Sequence, residues 1–385
     1  MENSATLTDE DDRLKVLLYY YYYYVEEEAL RGTAREVDDE SQFHGSLCRQ
    51  LKLGGRVRVA EEGFNGVLSG RESDLRGYIK AVEERGIQNK WFQRSGGEET
   101  AKIDWKWGEM RSDLRGEDQM FVGNCKVDVV KEVVSLGSGG MNSGEGASAI
   151  PNIHLDASQW HSALLSPAPS TVFLDTRNCY ESAIGFFASS SPEENPTILC
   201  NTRKFASLPR FWDGMKESLS GKNVLMYCTG GVRCEVASKS LIQWSEANGV
   251  GIKSVGQLKG GICRYLESYP GRDPDSGSLY RGKNFVFDNR RFDPNAGKGI
   301  VGRCCVCDTQ HDDYDNAAPM KEKNEARCRR CRILLLICRE CRKDRITWGE
   351  KVEDGTEKAE LFCGPGGAEC VDMGNKVDDF KVVVN

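Results

Sequence analysis

The 385-residue chain has no apolar run approaching the roughly 20 residues that a membrane-spanning helix needs. Its compact apolar run, Ile333–Ile337, suits only a buried strand or a hydrophobic clip. Met1–Asp12 is acidic and polar, with no basic segment ahead of an apolar one, so no secretory signal is expected. It also lacks the Arg/Ser-rich, acid-poor character of a transit peptide, and a cytoplasmic protein without a membrane partner is expected. Positive charge is not in excess: the net charge is −7, which excludes bulk attraction to nucleic acid, and DNA is not an expected partner. No flavin, haem or 2-oxoglutarate iron motif is present, so no organic cofactor is expected.

Cysteine is abundant instead, with 16 residues. In a chain without a secretory signal this favours metal binding or catalysis over disulfides. Charge is also uneven. Lys321–Arg345 holds ten Lys/Arg against four Asp/Glu, a local basic patch in an otherwise acidic chain.

The length predicts two or three domains. In the first, residues 13–137, Leu14–Val25 reads as a strand that contains six tyrosines, Tyr19–Tyr24. Ser41–Leu51 reads as a helix, and Arg56–Ala60 and Phe64–Ser69 as strands about Glu61, Glu62 and Gly63. Ser73–Arg85 reads as a helix with Leu75, Tyr78, Ile79 and Val82 on one face, and Phe121–Val134 as a final strand. The order β-α-β-β-α-β is that of a ferredoxin-like α+β domain. Alternate tyrosines should face the core and the others the surface, where they could offer bases a stacking platform. A Gly/Ser linker at 138–149 leads to an α/β domain over 150–275, with strands at Thr171–Asp175, Val224–Cys228 and Val255–Leu258 forming a parallel sheet. Residues 279–372 form a cysteine-rich, mostly irregular tail that needs metal to fold.

The sequence Val224–Cys234 runs a buried strand into Cys228, then Thr229, Gly230, Gly231, Val232 and Arg233, then a helix. Such a loop turns successive N–H groups inward and adds the positive end of a helix and a fixed guanidinium. Cys228 is therefore expected to be a low-pKa nucleophile that can carry sulfur as a persulfide. A cysteine phosphatase needs five residues between its Cys and Arg, and here there are four. Cys234, on the first helical turn, is a candidate resolving thiol for a Cys228 persulfide or sulfenate, or else a packing residue.

Val224–Cys234 resembles the rhodanese active-site loop. Leu174–Arg177 with Glu181 resembles the rhodanese Asp-x-Arg…Glu element, and Leu258–Gly261 with Tyr265 its closing strand and Gly-Gly turn. The resemblance implies that Asp175 and Arg177 hold the loop and its entrance; a structural ion pair is the alternative. Phe186 departs from the family, which has His after the glycine at 185. Val57–Gly66, Met226–Glu235 and Gly282–Arg290 are further similar to the bacterial tRNA uridine(34) 5-hydroxylase family, whose architecture is a ferredoxin-like domain, a rhodanese domain and a cysteine-rich tail. The resemblance implies a catalytic Cys228 and oxygen-dependent 5-hydroxylation of a wobble uridine, with tRNA and a sulfur donor as partners. It also suggests that Glu61, Glu62, Phe64 and Asn65 line a face toward the rhodanese site, although a plain hairpin explains them as well. The alternative activity is sulfur transfer from thiosulfate or a persulfide to a small-molecule or protein thiol.

In the tail, Cys304/Cys307, Cys328/Cys331 and Cys338/Cys341 are Cys-x2-Cys pairs, followed by Cys363 and Cys370. Twenty residues separate the first two pairs, a spacing typical of zinc knuckles. Eight thiolates would hold two structural zinc ions, with Cys305 spare or replacing Cys304, and His311 a weaker ligand candidate. Arg327, Arg329, Arg330, Arg332, Arg339 and Arg342 either neutralise the zinc thiolates or bind RNA phosphate.

Overall fold

The structure, a computed structural model, describes residues 13–22, 34–89, 103–136, 148–200, 202–297, 299–314, 326–328, 332–343 and 381–383. They form two units. The first takes the described residues up to Ser135 together with Val286–Pro294; the second takes those from Leu136 to Phe285 and from Asn295 onward. Among the described residues no helix is long and apolar enough to cross a membrane.

The first unit is a sheet with two helices on one face. Strands β1 (Leu14–Tyr22), β2 (Gly54–Ala60), β3 (Gly63–Arg71), β4 (Lys106–Gly108) and β5 (Lys126–Val129) lie in the order β4-β1-β3-β2-β5. Helices α1 (Ala34–Gln50) and α2 (Glu72–Gln88) cover the face made by Leu17, Tyr19, Tyr21, Val57, Val59, Phe64 and Leu68. Leu75, Tyr78 and Val82 of α2 are fully buried, as the helical period predicts, and each such side chain contributes about 1.5–3 kcal/mol. The final ferredoxin-like strand differs from expectation. It is β4, antiparallel to β1, whereas the 121–134 segment supplies only β5, parallel to β2 at the opposite edge. β4 is three residues long and carries the buried Lys106, whose ammonium pairs with Asp104 at 2.6 Å, so it shows no apolar alternation. β2 and β3 pair down to Ala60 and Gly63, so Glu61 and Glu62 form a two-residue hairpin turn, and Glu62 accepts from Val133 N at 2.7 Å. Tyr23 and Tyr24 and linker residues 138–147 lie outside the described residues.

Val286–Pro294 was expected to open the tail, yet it packs in the first unit. Its buried Arg290 forks onto Asp288 and donates to Glu109 O at 3.0 Å, while Arg111 donates to Arg290 O at 3.0 Å. These buried polar groups all find partners there, which fixes the segment.

The second unit is α/β. Strands β6 (Asn152–Leu155), β7 (Thr171–Asp175), β8 (Gly185–Phe187), β9 (Thr197–Leu199), β10 (Asn223–Tyr227), β11 (Ser254–Leu258), β12 (Tyr280–Gly282), the short β13 (Asn284–Phe285) and β14 (Phe292–Asp293, within the first unit), and β15 (Lys381–Val383) follow in sequence. The main sheet has the order β15-β9-β7-β10-β11-β6, parallel except for β15. The central strands β7 and β10 are almost wholly buried, as parallel strands covered on both faces must be. Helices α3 (Ala157–Leu165), α4 (Cys179–Ser182), α5 (Leu208–Gly214), α6 (Lys216–Leu219), α7 (Val232–Asn248) and α8 (Gly261–Ser268) connect them. β12 pairs with β8, so the chain just past 279 still belongs to this unit rather than to a separate tail.

Candidate active site and metal centre

Cys228 follows directly on β10, at the carboxyl edge of the sheet where open α/β folds place ligands. The loop Cys228–Gly231 then enters α7. Gly231 takes φ +92°, a conformation open to glycine, and this aims its N–H at Cys228 Sγ, 3.1 Å away. Burial by itself pushes the Cys228 thiol up. A hydrogen bond from Cys234, the charge of Arg233 and the backbone amides of Cys234 and Arg233 reverse this and lower it to about 6. Cys234 is fully buried, its own thiol pushed well up by that burial and by the neighbouring Cys228, and its Sγ lies 3.7 Å from Thr176 Oγ1. The two cysteines that the sequence singled out are thus brought together.

Arg233 is held by Glu181. Its guanidinium donates to Glu181 Oε2 at 2.8 Å and Oε1 at 2.7 Å, and to Thr229 Oγ1 at 3.0 Å. Thr229 in turn donates to Glu181 Oε1 at 3.1 Å. Glu181 also accepts from Asn178 N as half of a capping box at the start of α4. The Asn-x-x-Glu spacing was the available signal for this residue, which sequence reasoning quoted without giving it a role.

Asp175 and Arg177 stand elsewhere. Arg177 forks onto Asp175 at 2.9 and 2.6 Å and donates to Gly185 O at 2.6 Å and Tyr280 Oη at 3.2 Å, with both residues fully buried. Among the described residues their hydrogen-bond partners lie on β8, β12 and Ser182 of α4, not on the Cys228 loop. This geometry fits the structural ion pair, the alternative that the sequence left open: the pair ties β7 to its neighbours. Asp288 and Arg290 repeat the same Asp-x-Arg fork in the first unit.

The Gly-Gly turn before α8 closes the loop from below. Ile262 N donates to Cys228 O and Cys263 N to Thr229 O, both at 3.0 Å. Gly261 sits at φ +67°, and a Cβ there would lie 2.5 Å from Cys228 O and 2.6 Å from Gly231 N. A Cβ on Gly230 would meet nothing within 4 Å, so the loop is open on that side. Gly261→Ala is therefore expected to cost at least about 2 kcal/mol from left-handed strain and overlap. Gly230→Ala should fold within about 0.5 kcal/mol of the parent. Urea unfolding of the two variants checks this, and equal stabilities would contradict it.

A second cluster lies in the chain after Asn295. Cys304, Cys307, Cys338 and Cys341 place their four sulfurs within 4.8 Å of one another. Cys307 and Cys338 Sγ are 3.6 Å apart, and Cys338 N donates to Cys304 Sγ at 3.3 Å. A tetrahedron with 2.3 Å metal–sulfur bonds has edges of about 3.8 Å, so this set fits a closed four-thiolate site. The pairing is of the first knuckle with the third, not with the second as the 20-residue spacing suggested. Cys305 is exposed and, like His311, stands outside the set. Cys328 is fully buried and opens a turn of the same build as the first knuckle. Cys328 N donates to Ile333 O and Arg332 N to Cys328 O, as Cys304 N does to Thr309 O and Asp308 N to Cys304 O. Arg332 and Asp308 both take left-handed φ near +60°. Cys331, Cys363, Cys370, Arg329, Arg330 and the side chain of Arg342 lie outside the described residues. Arg327 donates to Arg332 O at 3.0 Å, bracing this turn.

The knuckles flank the run Ile333–Ile337, whose residues alternate. Leu334 and Leu336 pack with Ile184, Phe285 and Tyr314; Ile333, Leu335 and Ile337 pack with Cys304, Ala326 and Cys328. Tyr180 of α4 touches both clusters, and Tyr314 Oη donates to Tyr180 O at 2.6 Å. The four-cysteine module thus grips the short helix that carries Glu181.

Comparison with known proteins agrees with this layout. The UPF0176 acylphosphatase like domain matches residues 14–133 and the Rhodanase C-terminal domain residues 281–349. Rhodanese-like domain-containing protein 6 of Arabidopsis thaliana is 34% identical over 315 residues, 80% of this chain and 48% of that protein, so the chain spans about half its length. tRNA uridine(34) hydroxylase of Streptococcus thermophilus (strain ATCC BAA-250 / LMG 18311) is 34% identical over 66% of this chain and 68% of its own. The Streptococcus pneumoniae (strain Hungary19A-6) protein of the same name is 33% identical over 66% of this chain and 67% of its own. With a ferredoxin-like unit, a rhodanese-type loop and these identities, the chain belongs to the tRNA uridine(34) hydroxylase family.

Proposed function

We propose that this protein hydroxylates carbon 5 of a wobble uridine in tRNA, with Cys228 as its catalytic thiolate. The observation that carries the reading is a buried cysteine lowered to about 6, open on the Gly230 side, in a chain 34% identical to proteins named for that reaction. Hydroxylation replaces the C5 hydrogen of uracil with hydroxyl, a two-electron oxidation. A thiolate can add to C6 of the ring and make C5 an electron-rich enolate carbon. That carbon takes oxygen from an electrophilic donor of the peroxide class, breaking its O–O bond. Loss of the C5 proton and expulsion of Cys228 Sγ restore the ring. Arg233, Thr229, Val232 and the amides after Gly230 and Gly231 shape the anion site, and Cys234 is the proton donor and resolving thiol. The same site would stabilise a persulfide made from a sulfur donor. Zinc is the metal that four thiolates with no open position fit best, as a structural ion, and the matching Cys328 turn argues for a second.

The test is mass spectrometry of tRNA nucleosides from cells lacking the protein, complemented by the parent or Cys228→Ala. Loss of 5-hydroxyuridine-derived nucleosides, restored only by the parent, is expected; unchanged nucleosides in the deletion would sink the proposal. A second readout is alkylation of Cys228 by iodoacetamide. Because the thiol is lowered, its thiolate forms as pH rises through about 6, so the rate should plateau at neutral pH and fall tenfold per unit below 6. A midpoint near 8.5, as for a free cysteine, would contradict the site's electrostatics.

A further inference from the structure

The first unit has a sheet face that neither helix covers. α1 and α2 pack on the odd-numbered residues of β1, and Leu18, Tyr20 and Tyr22 point the other way, half-buried. The strand registers show what lies beside them. Leu18 is opposite Val67, which is opposite Arg56, which is opposite Lys126. Tyr20 is opposite Asn65, which is opposite Arg58, which is opposite Asp128. Residues paired across strands share a face, so two rows of side chains cross the sheet together.

Their chemistry is uneven. Arg56 is exposed and Arg58 half-buried, and neither makes an ion pair or side-chain hydrogen bond among the described residues. Lys126 pairs with the neighbouring Asp128, with 72% of its side chain exposed. The rings of Tyr20 and Tyr22 stand edge to face with centroids 6.1 Å apart, and Lys106 Nζ lies 4.8 Å above Tyr20. A chain of net charge −7 thus places two guanidinia, two residues apart on one strand and without an ion pair among the described residues, on the same face as a pair of phenol rings. At the other end of this face Val16 and Ser69 are fully buried, and Phe121 N donates to Ser69 Oγ at 2.9 Å, so the half-exposed part is bounded.

We propose that this face binds a single-stranded loop of RNA, with Tyr20 and Tyr22 stacking on bases and Arg56 and Arg58 holding phosphates. Sheet faces with aromatic residues on neighbouring positions suit unpaired bases, whose π-faces a duplex hides. Asn65, between Tyr20 and Arg58 in the second row, offers both a donor and an acceptor to a base edge. The inference rests on the tRNA reading above and adds the place where the substrate's loop is gripped. Arginines of the cysteine-rich tail are not required for it.

The experiment is fluorescence anisotropy of the full-length, metal-loaded protein with a labelled anticodon stem-loop RNA. Arg56→Gln/Arg58→Gln should weaken binding at least tenfold and lower the slope of log affinity against log salt by about 1.4, since each single-strand phosphate contact contributes about 0.7. Tyr20→Leu should weaken binding at least about fivefold with the slope unchanged, as loss of stacking does. Iodoacetamide alkylation of Cys228 should be unaltered in both variants, and urea unfolding within about 0.5 kcal/mol of the parent shows that the first unit still folds. If the parent binds the stem-loop and the variants match its affinity and slope, the surface is wrong and the tRNA reading stands. If only anionic vesicles or acidic peptides respond to the arginine change, the surface belongs to another partner and the proposal fails. If the parent binds no RNA, both fail.

Discussion

Glu181→Ala is expected to destabilise the second unit by about 3–5 kcal/mol, because it leaves the Arg233 guanidinium buried without its partner. Arg233 is 7% exposed and Glu181 wholly buried, so water cannot replace the lost carboxylate. Burial opposes the guanidinium charge, and Glu181 more than offsets it, holding Arg233 fully protonated next to Cys228. Glu181→Leu combined with Arg233→Met removes both charges and should recover most of that stability. The same double variant should move the midpoint of Cys228 alkylation upward from about 6, since the Arg233 charge that helps to lower it is gone. Asp175→Ala breaks a pair of equal burial and should cost a similar amount, yet leave the alkylation midpoint where it was. Urea unfolding and the pH profile of alkylation separate the two pairs. A shifted midpoint in Asp175→Ala would restore that residue to the loop and refute the structural assignment.

The contrast shows what the chain made legible. The Cys228 loop could be read because its parts are contiguous: a strand, the cysteine, two glycines, an arginine and a helix within eleven residues. Its support could not, because it comes from 47 positions upstream, at Glu181, and from the amides of Ile262 and Cys263 downstream. The Asp-x-Arg element was ambiguous when read once at Asp175. Its repetition at Asp288, with the same fork, shows that this spacing can build a buried pair with no part in a cysteine loop. The ferredoxin-like order was legible from β1 to α2, where apolar periodicity is strong. It was misread at β4, where three residues carry a buried lysine held by a carboxylate instead of an apolar face. Three Cys-x2-Cys pairs of equal spacing carry no information about which two meet. That is decided by the Ile333–Ile337 run, which spans from the second knuckle to the third and returns the third onto the first.

Removal of the metal proposed for the four-cysteine site is expected to have the other large effect, and to reach the Cys228 site. Structural zinc in four thiolates contributes about 10–16 kcal/mol of binding free energy at neutral pH, which is folding free energy when no site exists in the unfolded chain. Without an ion, four sulfurs within 4.8 Å have no reason to converge as thiolates. The Ile333–Ile337 run then loses both of its anchors, and with it the packing of Leu334 and Leu336 on Ile184 and Phe285. Tyr314 Oη would leave Tyr180 O, freeing the short helix in which Glu181 follows Tyr180. A chelator, or Cys304→Ser with Cys307→Ser, should therefore lower the melting temperature by at least about 10 °C. It should also open the chain near residue 335 to proteolysis. Cys228 alkylation should become pH-dependent at a higher midpoint, since Glu181 no longer fixes Arg233 beside the sulfur. Tyr314→Phe, which keeps the ring and the metal, should reproduce a fraction of that shift without the loss of melting temperature. Elemental analysis, thermal melts and the alkylation profile read these outcomes independently. A chelated protein that melts as before would refute the metal's structural role, and a lowered melt with an unmoved Cys228 midpoint would confine that role to the tail.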